Sequence, residues 1–140
     1  MGKYLPSQYD RDIITAFAKT VRDAVLTFHK CPYDFVKKAI QTDLFLTFQE
    51  DFSLHSQSPN CIASEFLKIT NVQNIDDIQY IGGDSDVGFW MGYLIMYWCI
   101  RDNFPVSIIK KINMEELYWN YDVYHTQDLD YVIRLLMEEL

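Results

Sequence analysis

Cysteine is scarce in this chain, and Cys31, Cys61 and Cys99 are scattered with no C-x-x-C pair among them. An odd, dispersed set reads as reduced thiols in a cytosolic protein. Basic residues are few as well, 12 against 20 acidic, for a formal charge of −8. Lys and Arg supply most non-specific affinity for phosphate, so a nucleic-acid partner is not expected. The histidines His29, His55 and His125 stand at no metal-ligand spacing, and the chain has no G-x-S-x-G, P-loop or dinucleotide fingerprint. No metal, cofactor or catalytic residue is assigned. The opening MGKYLPSQYDRD has no apolar signal core, and Pro6 stands where a myristoylation signal needs Ser or Thr. The apolar run Val87 to Ile100 has fourteen residues, fewer than the roughly 20 that cross a bilayer, which makes it a core helix and excludes a membrane partner. No repeat, linker or low-complexity tract divides residues 1–140, so one helical domain is expected.

What the chain does have is apolar mass: 49% hydrophobic and 16% aromatic residues, including ten Tyr and three Trp. That suffices for one dense core. Because Tyr and Trp carry a polar atom that needs a partner, some of these rings are expected at core edges or on an adhesive face. Charge is uneven. Through Lys38 there are seven basic and four acidic residues, whereas from Ala39 onward there are five basic and sixteen acidic. A negative field over the later part can steer a cationic protein into contact.

Periodicity predicts an all-α bundle. From Ser7 to about Lys30, Ile14, Phe17, Val21, Ala24 and Phe28 recur at three- and four-residue steps. Pro32 suits the first turn of a second helix. Thr42 to Leu54 fits a helix better than a strand; His55 to Asn60 is a loop, and Pro59 opens another helix. Asn71 to Gly83 reads as a short helix or an irregular connection. The segment from Val87 to Ile100 is apolar nearly all round and is expected at the centre, with the Gly88/Gly92 pair admitting a close neighbour. Brief helices follow over Ser107 to Lys111 and Met114 to about Val123. The last runs from Asp128 to Leu140, with Leu129, Val132, Ile133, Leu136 and Met137 on its inner stripe.

Two clusters are candidates for chemistry. In GGDSDVGFW, residues 82–90, Gly82 and Gly83 permit positive φ, and Asp84, Ser85 or Asp86 can accept hydrogen bonds from the first free N–H groups of the helix. The competing reading makes Asp84 and Asp86 a divalent-ion pair of a nucleotidyltransferase-like enzyme. Cys99 with His125 is a nucleophile and base on paper, but a thiol inside an apolar helix is inert. The second cluster, YWNYDVYHTQD over residues 118–128, is the densest aromatic and hydrogen-bonding stretch. Here His125 reads as a fixture of the turn before the last helix, or as part of an exposed patch whose rings anchor an interface.

Gly92-Tyr93-Leu94, Tyr97-Trp98, Ser107, Ile109, Lys110 and YDVYHTQDLDYVIRLL at residues 121–136 resemble a group of small bacterial proteins of unknown function. The pattern Y-D-x-x-H-T-x-x-x-D-x-x-I is similar to a short family often encoded beside ADP-ribosyltransferase-like toxins. Two positions depart from that pattern: Cys99 follows Trp98 where relatives read histidine, and Arg101 to Val106 replaces a polar turn. The resemblance implies an antitoxin-like, non-catalytic role. Tyr118, Trp119, Tyr121, Asp122, Tyr124, His125, Asp128 and Asp130 are then expected to face a partner protein, rings filling an apolar groove and carboxylates meeting a basic rim. Alternatives are the Asp84/Asp86 enzyme, a homodimer closed by exposed rings and the Gly88/Gly92 surface, and an acidic inhibitor of a nuclease.

Overall fold

Ser7 begins the first helix as the sequence suggests: its Oγ accepts from the Asp10 N–H at 3.1 Å, and α1 runs Gln8–Leu26. The computed structural model describes residues 4–77 and 83–140. Among them the chain is all-α, with α2 Pro32–Ala39, α3 Asp43–Leu46, α4 Phe52–His55, α5 Pro59–Lys68, a 3-10 turn Ile75–Asp77, α6 Asp84–Arg101, α7 Val106–Ile109, α8 Met114–Trp119, α9 Tyr121–Tyr124 and α10 Leu129–Glu138. Thr42, Asp51, Ser58 and Asn113 repeat the Ser7 device, each side-chain oxygen accepting from a backbone N–H three residues on. Such caps recruit donors that a helix start otherwise leaves unsatisfied.

The centre is α6 laid along α1. Residues Leu94 to Cys99 are all buried, so the segment is enclosed on most faces, and among the described residues no helix is long and apolar enough to cross a membrane. The glycine pair sets the spacing: a Cβ on Gly92 would lie 2.8 Å from Val21 Cγ2 and 3.0 Å from Ala18 Cα. Also on α1, Phe17 makes edge-to-face contacts with Phe45, Phe48 and Phe66 at ring separations of 5.1, 5.6 and 6.0 Å. Those rings come from α3, the turn after it, and α5.

Two elements differ from expectation. Thr42 to Leu54 is not one helix but two single turns. The Thr47 hydroxyl donates back to the carbonyls of Asp43 and Leu44, and Asp51 starts the second turn by capping Leu54. Met114 to Val123 likewise breaks at Asn120, whose backbone (φ −94, ψ 12) leaves the helical region while its Nδ2 donates to the Glu116 carbonyl at 2.9 Å. The connection after α5 folds back on α2 through a buried carboxylate. Asp34 Oδ2 accepts from the Gln73 N–H at 2.8 Å and from Lys38 Nζ at 2.9 Å, beside an isolated bridge between Lys30 and Asn74. Gly82 lies outside the described residues.

Candidate functional site

Both candidate clusters meet at one buried contact. Gly83 takes the left-handed backbone (φ 62) and occupies the N-cap position of α6 without a side-chain cap. Asp84, one of three residues expected to cap α6, stands one position inside the helix. It is 6% exposed and turned inward, where Tyr118 donates its hydroxyl to Asp84 Oδ2 at 2.8 Å. Asp86 is exposed. Residues two apart on a helix project about 200° apart, so the two carboxylates do not converge, and no group of three His, Cys, Asp or Glu suited to a metal occurs among the described residues.

Tyr118 corrects the predicted docking face. It is fully buried, its ring lies 5.1 Å from Tyr33 and 5.1 Å from Trp119, and its hydroxyl is spent on Asp84. Helix α8 buries Met114, Leu117 and Tyr118 as a stripe, which leaves the adjacent Trp119 on the outside at 42% exposure. Asp130 is also engaged: it accepts from the Tyr97 hydroxyl at 2.7 Å and from the Arg101 guanidinium at 3.0 Å, tying α10 to the end of α6. Burial and this carboxylate push the Tyr97 hydroxyl well above the ordinary phenol range.

The remaining residues divide among three places. Tyr121 is half-buried, with Trp90 edge-on at 5.6 Å and His125 stacked at 4.2 Å and 12°. His125 is exposed, and its Nδ1–H donates to the Tyr121 carbonyl at 2.7 Å, so it fixes the turn before α10 while one ring face stays open. Burial, with help from Asp86 and Asp122, raises the Tyr121 hydroxyl. Tyr124 borders a small cavity of about 130 Å³ between α8 and α10, and is raised by burial and then by Glu139 and Glu116. Asp128 stands at the N-cap of α10 and, with Asp130, lines an open groove of about 940 Å³ shared with Tyr4, Arg101, Tyr131 and Met137.

Two surface residues were missed by periodicity, and a third, Met137, was expected on the inner stripe of the last helix but lies outside it. Val123 (60% exposed), Tyr131 (40%) and Met137 (43%) join Trp119 on the outside. Met137 lies one step beyond the buried stripe of Val132, Ile133 and Leu136, and Tyr131 carries the Arg134 guanidinium 5.1 Å from its ring centre. The signal available for Tyr131 was its place one residue before that stripe. The Gly88/Gly92 surface is covered by α1 and so is not open to a second copy. Cys99 is buried and its thiol is pushed far up by burial, which removes it as a nucleophile for His125. The chain matches no protein-family model, no curated protein and no solved structure.

Proposed function

We propose that this chain is a non-catalytic, cytoplasmic protein-binding module, antitoxin-like in action, which restrains a toxin by covering its surface. The observation that carries the reading is the coincidence of exposed apolar side chains and negative charge in the C-terminal helices. Trp119, Val123, Tyr131 and Met137 are 40–60% exposed there. From Glu115 to Leu140 there are seven acidic residues and one arginine. Solvated charge alone would keep a protein soluble without exposed rings; rings flanked by carboxylates suit a partner surface that is apolar at its centre and basic at its rim. The groove beside α10 offers room for an apolar anchor between Tyr131 and Met137. The docking set thus becomes Trp119, Asp122, His125, Asp128, Tyr131 and Met137, without Tyr118 and Asp130, which are engaged within the fold, and without the half-buried Tyr121 and Tyr124.

The test is co-expression with the product of the neighbouring gene, expected to be an ADP-ribosyltransferase-like toxin. Expected are co-purification and rescue of growth, with Trp119→Ala or Tyr131→Ala weakening the complex by about 1–3 kcal/mol. Absence of both complex and rescue overturns the reading.

A further inference from the structure

Between α1, α6 and α9 lies an open cleft of about 510 Å³ lined by Arg22, Asp86, Phe89, Trp90, Tyr93 and Tyr121. Four of its six lining side chains are aromatic and half-buried. Trp90 stands edge-on to Tyr121, while Phe89 and Tyr93, one turn apart on α6, are 6.2 Å apart and inclined by 30°. Stacking of Tyr121 on His125 fixes the wall contributed by α9. The charges at the mouth are unequal. Arg22 Nε donates to Asp23 at 3.1 Å, an ion pair that partly offsets the one cation of the lining. Asp86 is exposed, and the Tyr121 hydroxyl feels both Asp86 and Asp122.

We infer that this cleft receives the cationic side chain, Arg or Lys, of the partner protein. A guanidinium or ammonium is attracted to ring faces, Trp most strongly, and its methylene stem is accommodated by the same apolar walls. A carboxylate at the mouth adds a charge-assisted hydrogen bond, bidentate for arginine. The cleft is open on one side, so a small free cation would stay largely in water, whereas a side chain arrives with a protein surface that completes the enclosure. The inference rests on the docking reading above and adds one contact beside that set, joined to it where Tyr121 stacks on His125.

The test needs no partner and so separates the two ideas. The full chain is titrated with the blocked tripeptide acetyl-Gly-Arg-Gly-amide, with its neutral citrulline counterpart, and with acetyl-Gly-Glu-Gly-amide, following the Trp90 indole by NMR. Expected are saturable shifts in the millimolar range for the arginine peptide, at least threefold weaker binding of the citrulline peptide, and a similar loss on Asp86→Asn. Trp90→Leu removes the reporter, so His125 ring signals follow that variant, and their shift is expected to vanish. Equal response to arginine and citrulline, a stronger response to glutamate, or indifference to Asp86→Asn overturns the assignment. Failure of the toxin complex with the arginine response intact would instead overturn the docking reading.

Discussion

Two glycines one turn apart on α6 do different amounts of work. At Gly92 a methyl would meet Val21 Cγ2 at 2.8 Å and, more seriously, the Ala18 Cα at 3.0 Å, which cannot move without shifting α1. At Gly88 the nearest atoms are side-chain carbons at 3.3 Å and 3.4 Å, which can yield. Overpacking costs about 1–3 kcal/mol when backbone must shift, and the helix-propensity gain of about 1 kcal/mol from Gly to Ala offsets only part. Gly92→Ala is therefore expected to lower the urea midpoint clearly, and Gly88→Ala to leave it near the original value. Equal effects would mean that the α1–α6 spacing is not set where we place it.

At the scale of elements, α10 is held by its apolar stripe and by a polar tie, Tyr97 and Arg101 on Asp130. Tyr97→Phe keeps the packing and deletes one hydrogen bond to a carboxylate, a loss of about 1 kcal/mol after discounting for the half-exposed partner. Asp130→Ala removes both bonds and frees Arg101 to its remaining partner Asp102. Hydrogen exchange is expected to quicken across α10 before the rest of the fold in Asp130→Ala, and less so in Tyr97→Phe. Uniform acceleration would show that the tie is no more than a surface ion pair. Much at this scale was legible in advance, because caps and prolines are local: Ser7, Pro32 and Pro59 start helices where their chemistry says they should. The Gly88/Gly92 pair announced a close neighbour for the same reason. Less legible were elements shorter than two turns, where period carries little information. The break at Asn120 resets the face of the chain, so Tyr118 falls inside while Trp119 and Val123 fall outside. Nothing in the local sequence says that Asp84 will meet Tyr118 thirty-four residues later. That pairing took one residue from each candidate site and made a core contact of both.

For the molecule as a whole, four thiols and phenols at least half-buried, Cys31, Tyr33, Tyr97 and Cys99, hold their protons more tightly than ordinary, and this fixes where they cost stability. Burial raises the Cys31 thiol from 9.0 to about 11, and burial with the neighbouring Cys31 raises Tyr33 from 10.0 to about 12. Cys99 and Tyr97 are raised further by burial. In each case the unfolded chain releases its proton at a lower pH than the folded one. The folded state therefore binds more protons between the two values, and stability falls with rising pH across that interval. The contribution is complete below pH 9, begins to disappear as unfolded thiols ionise, and declines more steeply once unfolded phenols join above pH 10. These groups impose no slope near neutrality. Urea midpoints are thus expected to stay level from pH 7 to 8.5 and then drop progressively to pH 11. Cys31→Ala should flatten the part between 9 and 11, since alanine has no proton to lose, while Tyr33→Phe should flatten only the part beyond 10. A midpoint indifferent to pH up to 11, or a Cys31→Ala curve with an unchanged alkaline slope, would mean that these groups are not shielded from water as their burial requires.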